Sequence, residues 1–578
     1  PDFFIKQGDN ECYIEHFGIT EDGRNSRYTK DELETYIKNM KYKINHHEIH
    51  GTKLISTYSK YNDGRTLLDH LKEELETKGF ELKPKSEKEV YDAITKAKDN
   101  KYIYKFCNIA SRFISLFKTR NYTETEFEIL RRKTKNPRNL LFLSIMEKVY
   151  LAYQLYLKEN KLVDFEDMIN ESARLLKEVE DVRDKINFKY ILIDEYQDIS
   201  RARLNLVNEL RAATRAKISV VGDDWQAIYG YAGSEVNLFT KFKEEMGYAS
   251  VLKINRTYRN AQEIIDIAGT FVQKNDAQIK KQLISNKHID KPITIYSYDG
   301  SYKSKDNEGS DMNRAKLLER IIGLIQKIDD KEKNILIIGR YGFDGNHLLK
   351  TGLFYSNDEI IKDDFIRSAK YPNVNLTFMT AHKTKGLTYD NVILINALNG
   401  KYGFPSQIED DPIFNFVRSK DESFDFSEER RLFYVALTRT KNRVFILTPN
   451  NNPSTFVLEL INDFKDKINV HEEEFPIKRE VTILSKKRTK CPICGYPLQI
   501  QNNKSYGLRL YICSNEPEVC DYMTNNLKSG KKGIHLCNKC GGVMHVKTRK
   551  DKSGYFFGCS NYQSNGKGCN NTENIESN

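Results

Sequence analysis

Six short β-branched runs alternate with helical stretches from about residue 188 onward: Tyr190-Ile-Leu-Ile193, Ile218-Ser-Val-Val221, Ile335-Leu-Ile-Ile338, Leu376-Thr-Phe-Met379, Val392-Ile-Leu-Ile395 and Val444-Phe-Ile-Leu447. Strands alternating with helices specify parallel sheets covered by helices, with ligands gathered at the strand carboxyl ends. Upstream, from 61 to about 183, the texture is helical. Leu67, Leu68, Leu71 and Leu75 repeat at three- and four-residue spacing, and Gly and Pro are scarce. A chain of 578 residues exceeds what one core can organise, so three or more domains are expected. With 92 Lys and Arg against 81 Asp and Glu, the net charge of +11 permits contact with nucleic acid. No run approaches the roughly 18 consecutive apolar residues of a membrane span, and the opening has no signal-peptide pattern. The expectation is a cytoplasmic protein without membrane contact.

Eight of the ten cysteines fall after position 490, in two copies of one module. Cys491-Pro-Ile-Cys494-Gly495 recurs 46 residues later as Cys537-Asn-Lys-Cys540-Gly541, and Cys513-Ser-Asn515 recurs at the same offset as Cys559-Ser-Asn561. Each copy offers four thiolates: Cys491, Cys494, Cys513 and Cys520, then Cys537, Cys540, Cys559 and Cys569. Four thiolates close a tetrahedral structural Zn2+ site, and metal binding would supply much of the folding free energy of modules this small. Disulfides are the competing reading and need an oxidising compartment. Aromatic residues ahead of the third cysteine, Tyr511 in one copy and Tyr555, Phe556 and Phe557 in the other, suit base stacking or the module's own core.

The run Tyr190–Ile193 leads straight into Asp194-Glu195, delivering two adjacent carboxylates to a strand end. This is the Walker B arrangement, in which the first carboxylate holds Mg2+ and the second orients the attacking water. The next strand ends in Val220-Val-Gly-Asp-Asp-Trp-Gln-Ala-Ile-Tyr-Gly-Tyr-Ala-Gly-Ser234, where Gln226 can sense a γ-phosphate and Tyr231 offers a stacking surface for a nucleobase. Asn255-Arg-Thr-Tyr-Arg259, Thr380-Ala-His-Lys-Thr-Lys-Gly-Leu387 and Glu428-Glu-Arg-Arg-Leu-Phe-Tyr-Val-Ala-Leu-Thr-Arg439 follow in that order. Two well-separated arginines in such a set suit charge neutralisation in phosphoryl transfer.

In order and wording these segments closely resemble motifs II to VI of UvrD/Rep-type superfamily 1 DNA helicases, and Val-Gly-Asp-Asp-Trp-Gln-Ala-Ile-Tyr is similar to the helicase IV branch. The likeness runs from about 160 to 450, entered by Asp164-Phe-Glu-Asp-Met168. It implies two RecA-like domains with ATP between them, single-stranded or forked DNA across the top, 3′-to-5′ movement and a role in DNA repair or recombination. It assigns Asp194 to Mg2+, Glu195 to the catalytic base and Gln226 to the coupling of hydrolysis to DNA. Tyr258 and Gly386 go to the nucleotide, Arg259 and Arg439 to the γ-phosphate, and Tyr231 and His382 to DNA. The zinc modules resemble the topoisomerase-type ribbon.

The sequence departs from the family pattern in four places. Thr388 follows Leu387 where the family commonly has Glu, and Ala232 stands where an Arg often flanks the aromatic. Only 39 residues separate Arg340 from Thr380, too few for the mobile insertion of UvrD-type enzymes. No Gly-x-x-x-x-Gly-Lys-Ser/Thr occurs, and Gly530-Lys531-Lys532 in the tail lacks the hydroxyl residue. The expectation is a chain that begins after its P-loop and hydrolyses ATP poorly without one.

At the amino end, Pro1-Asp2-Phe3 followed by Tyr13-Ile-Glu15 resembles the Pro-Asp…(Asp/Glu)-x-Lys metal-nuclease pattern, with Phe17 in place of the lysine. A nuclease-like structural insert is expected, and His46, His47 and His50 read as exposed helix residues. The resulting plan is an insert over 1–60, a helical subdomain over 61–183 and the first RecA-like domain over 184–290. The second RecA-like domain takes 291–464, a linker 465–490, and zinc ribbons 491–525 and 537–575. Two other functions compete: a non-catalytic nucleic-acid-binding protein, and a translocase that remodels protein–DNA complexes.

Overall fold

The computed structural model describes residues 2–23, 30–63, 67–83, 86, 88–89, 101–301, 308–328, 334–357, 361, 364–419, 424–480, 489–503, 508–515, 520, 522–526, 535–540, 543–548, 555–559, 562 and 569–574. The Gly530–Lys532 run lies outside them. These residues divide into two compact units. One holds 1–108, 136–138 and 489–578, and the other 109–135 and 139–488.

In the first unit, β1 (Phe3–Gln7) pairs antiparallel with β2 (Asn10–Thr20), and β3 (Leu54–Lys60) joins β2 in parallel through the helix Lys30–Ile49. Cys12, Ile14 and Ile55 form its core with Leu75 and Phe80. Leu75 comes from the helix Leu67–Thr77, so Leu75 and the adjoining Leu71 of the leucine run pack on this sheet while Leu67 and Leu68 stay exposed.

The tail folds as two three-stranded antiparallel sheets. These are β14 (Leu498–Asn503), β15 (Leu508–Cys513) and β16 (Met523–Thr524), then β17 (Met544–Thr548), β18 (Tyr555–Cys559) and β19 (Thr572–Asn574). Leu510 of the first and Val543 just before β17 share a small apolar cluster. The Asn525 side-chain amide donates to the Met544 carbonyl at 2.9 Å.

The second unit is built on an eight-stranded sheet. It comprises β6 (Ile293–Tyr298), β7 (Asn334–Gly339), β8 (Phe354–Tyr355), β9 (Phe365–Ser368), β10 (Asn375–Thr380), β11 (Tyr389–Leu394), β12 (Thr440–Pro449) and β13 (Asn469–His471), in the order β13-β6-β12-β11-β7-β10-β9-β8. β13 through β10 run parallel, and β9 and β8 close the far edge antiparallel. Asn469–His471 falls in the segment expected as linker, yet it takes an edge of this sheet.

Alternation along the strands divides the apolar side chains between two cores. Ile293, Leu336, Val392 and Val444 face the helices Gln262–Val272, Ser427–Leu437 and Thr455–Asp463. Their neighbours Tyr296, Ile335, Ile393 and Phe445 face the helix Glu308–Ile328. Burial on both faces is why these strands read as unbroken apolar runs.

A smaller sheet pairs β4 (Tyr190–Ile193) with β5 (Lys217–Val220) in parallel. Ile193, Ile218 and Val220 pack toward Tyr196, Leu204 and Leu238. On the opposite face Tyr190 is 66% exposed and Leu192 78% exposed. The helical elements before β4 have their own aromatic core of Phe113, Phe117, Phe127 and Tyr150. One of them, Pro137–Glu159, is by length and composition apolar enough to cross a membrane, although Arg138, Glu147, Lys148 and Lys158 interrupt its apolar run. Its Phe142, Leu143, Met146 and Tyr150 are buried in that core.

Candidate functional site

At the carboxyl end of β4 the backbone turns sharply. Glu195 takes the left-handed conformation at φ 49°, which a side-chain-bearing residue adopts at a cost of order 1–3 kcal/mol when its surroundings hold it. The turn sets the two carboxylates side by side, with Asp194 Oδ1 accepting from the Glu195 N–H at 2.8 Å. Both are exposed. The Gln197 amide donates to Glu195 Oε2, and Gln197 Oε1 accepts from the Asp223 N–H at 2.9 Å. Gly222 leaves room for that amide, since a Cβ there would stand 2.6 Å from Gln197 Oε1.

After β5, Gln226 donates to Asp223 Oδ2 at 2.7 Å, and its Oε1 receives Arg439 Nη2 at 3.4 Å. Arg439 is 1% exposed and also donates to the Val435 carbonyl at 2.9 Å. Burial first, then the charge of Arg259, lowers its pKa to about 10, so the guanidinium remains charged at neutral pH. Asn260 fixes the segment carrying Arg259 by donating to the Thr438 and Thr440 carbonyls at 3.1 and 2.6 Å. The helix Ser427–Leu437 is anchored by Arg431, which donates to the Ala227 carbonyl at 2.6 Å, and by a double ion pair of Arg430 with Glu459 at 2.7 and 2.8 Å.

Lys385 was not singled out from the sequence, although it lies within the Thr380–Leu387 segment. Its ammonium bonds Asp198 and stands 3.6 Å from Glu195 Oε2. Burial raises the Asp198 pKa, and the Lys385 hydrogen bond opposes that rise. Asn260 was likewise missed. Neither side chain has a spacing that announces its partner, since each partner lies more than 170 residues away. Gly386, next to Lys385, holds φ +80°, a conformation that favours glycine.

A second group lies around Tyr231. Its ring meets His382 edge-on at 5.3 Å and 88°, and it is 43% exposed. Burial, then the Arg340 charge, holds the His382 imidazole down to about 4, so it is neutral at physiological pH. Arg340 pairs with Glu429 at 2.6 and 3.1 Å. Gly230 lies against Glu428, since a Cβ there would stand 2.7 Å from Glu428 Oε2 and displace that carboxylate.

The structure thus brings together Asp194, Glu195, Gln226, Arg259 and Arg439, and separately Tyr231 and His382. Tyr258 is 84% exposed and has no ring partner among the described residues. Two adjacent, exposed carboxylates suit Mg2+, which binds through one or two carboxylates and keeps several waters.

Each tail sheet gathers its four cysteines so that the ligand sulfurs lie within 4.8 Å of one another. Cys494 and Cys513 Sγ stand 3.4 Å apart and Cys540 and Cys559 3.3 Å, too far for an S–S bond and suited to thiolates around one ion. None of the eight is in a disulfide. This donor set fits zinc.

The family model of the UvrD/REP helicase N-terminal domain matches residues 13–247, and that of the UvrD-like helicase C-terminal domain matches 301–451. The Recombinase zinc beta ribbon domain matches 532–578, so the ribbon found in the tail is of the recombinase description. DNA helicase IV of Escherichia coli (strain K12) is 31% identical over 321 residues, 55% of this chain and 42% of that protein. A probable DNA helicase of Mycoplasma pneumoniae is 27% identical over 303 residues, 51% of each chain. The PcrA helicase of Leuconostoc citreum is 35% identical over 158 residues, 27% of this chain and 21% of that protein. The chain therefore spans about half, or less, of the relatives it matches.

Proposed function

We propose, from the premise that this chain belongs to the UvrD-like superfamily 1 helicases, that it works as an ATP-dependent DNA translocase or helicase. The proposed track is single-stranded or forked DNA, followed 3′ to 5′ in cytoplasmic DNA repair or recombination. The observation that carries this reading is the meeting of Glu195 and Gln226 with Lys385 and Arg439, groups drawn from both ends of the second unit.

In this reading Asp194 holds Mg2+, which would neutralise charge on the phosphates. Glu195, held by Gln197 and beside Lys385, orients the attacking water and accepts its proton. Arg439 and Arg259 stabilise negative charge on the γ-phosphate, and Tyr258 stacks on adenine beside Gly386. Gln226 ties the γ-phosphate to Tyr231 and His382, five and more residues along, where a base of the strand stacks. Neutral His382 suits a face that meets an unstacked base, because it adds no charge to attract phosphate into the stack. The two zinc ribbons add an electrostatic grip on the strand.

The phosphate cradle, Gly-x-x-x-x-Gly-Lys-Ser/Thr, is absent from these 578 residues. Hydrolysis in this proposal needs a P-loop segment in addition, and the exposed Tyr190 and Leu192 give β4 an apolar face on which such a segment can pack. The test is ATP turnover by this chain alone and by a version joined to a P-loop-bearing segment. Turnover dependent on single-stranded DNA only in the joined version is expected. Robust turnover by the 578 residues alone, or none by the joined protein, would refute it and favour a non-catalytic nucleic-acid binder.

A further inference from the structure

A group of charged side chains on the amino-terminal sheet plays no part in the ATP reading. The antiparallel register pairs Phe3 of β1 with Ile14 of β2, which sets Asp2 across from Glu15. The Asp2 carboxylate accepts from the His16 N–H at 2.7 Å. Glu15 sits on the middle strand at 2% exposure and is met at 2.7 Å by the Lys43 ammonium, from the helix Lys30–Ile49. Withdrawing a carboxylate this far from water is costly, and replacing both partners by apolar residues is often neutral or stabilising, so stability alone does not account for the pair.

Lys43 is half exposed, so its charge stands between Glu15 and solvent, where an incoming phosphate would meet it. Its pKa is raised, first by the hydrogen bond to Glu15, with the charges of Glu15 and Asp2 adding to this, so both carboxylates lie within electrostatic reach of one ammonium. The sequence pattern had lost its lysine at Phe17, which is buried against Tyr58. The fold returns a lysine from another element, 28 residues on.

We propose that Asp2, Glu15 and Lys43 form a second hydrolytic site that takes a divalent cation and cleaves nucleic-acid phosphodiester bonds. Two carboxylates supply hard oxygen ligands to a cation that keeps water in its other positions. Lys43, fixed as a cation, stabilises the charge that builds on the phosphate oxygens. Water adds across one P–O bond: its oxygen bonds to phosphorus, the bond to one sugar oxygen breaks, and that oxygen takes up a proton equivalent to the one the water released. No other reactant is consumed.

The experiment uses the full chain, end-labelled single-stranded and duplex oligonucleotides, and Mn2+, with no nucleotide present. Its result is therefore independent of the ATP reading. Cleavage that requires added Mn2+ is expected, reduced ~100-fold or more in Glu15→Gln and Lys43→Ala. Because loss of the ion pair could unsettle the sheet, Asp2→Asn is the second variant. It leaves Glu15 and Lys43 paired, and it should lose cleavage and weaken Mn2+ binding with its thermal unfolding unchanged. Absence of Mn2+-dependent cleavage in the wild-type chain, or cleavage at the wild-type rate in Asp2→Asn or Glu15→Gln, would overturn the proposal and leave a structural ion pair.

Discussion

At Glu195 a left-handed backbone, an amide from Gln197 and a nearby ammonium converge on one carboxylate. Glu195→Gln keeps the side chain's shape and the Asp194 ligand while removing the proton acceptor. In the P-loop-joined protein it should lower ATP turnover by ~100- to 10,000-fold and leave ATP binding nearly intact, read by turnover and nucleotide titration. Near-normal turnover would remove Glu195 from its role. His382 gives a second expectation. Folded, its pKa is about 4, against about 6.5 in an unfolded chain. The unfolded state therefore binds the extra proton, so the stability His382 contributes is complete above about pH 6.5 and is lost as pH falls toward 4. The urea midpoint, followed by fluorescence of the single tryptophan, Trp225, should fall across that window, and less steeply in His382→Gln. As candidates, Asp194, Glu195, Gln226 and Arg439 were legible in the sequence, each within its own short segment, and the fold brings them near one another. Lys385 and Asn260 act on partners far along the chain, and only the fold supplies those.

Among the elements, the six β-branched runs all became strands: the four in the large sheet are buried on both faces, whereas β4 and β5 are covered on one face and bare on the other. Strands with polar alternation, such as β2 and β9, or mixed ones such as β6, carried no such signal. The helix Ser427–Leu437 and the segment after it are held by Asn260, and Asn260→Ala strands two buried carbonyls. A loss of ~1–3 kcal/mol in urea unfolding of this unit is expected, whereas an unchanged midpoint would mean that water replaces the amide. In the tail, the shared 46-residue offset of the first three cysteines in each set points to two separate modules, yet Leu510, Val543 and the Asn525 amide join them. Cys491→Ser with Cys494→Ser should lower zinc from two ions to one by elemental analysis. It should also raise hydrogen exchange in β17 of the neighbouring ribbon, a change that independent ribbons would not show.

For the molecule as a whole, the charge of +11 would make the proposed DNA binding an ion-exchange reaction. Affinity for single-stranded DNA should fall log-linearly with salt, with a shallower slope in the ribbon variant, as measured by anisotropy titration. A salt-independent affinity would place stacking ahead of phosphate contact. The bare side of β4 bears on how the protein behaves in a tube. Tyr190 and Leu192 stand exposed on a two-stranded parallel sheet, and Tyr248, Leu252 and Ile254 are exposed in the same unit. Oily strand surface of this kind sticks to its own copies, and the repulsion of like-charged molecules that opposes such sticking weakens as ions screen it. Clear, dilute solutions of these 578 residues should therefore turn turbid on concentration, sooner in high salt than in low.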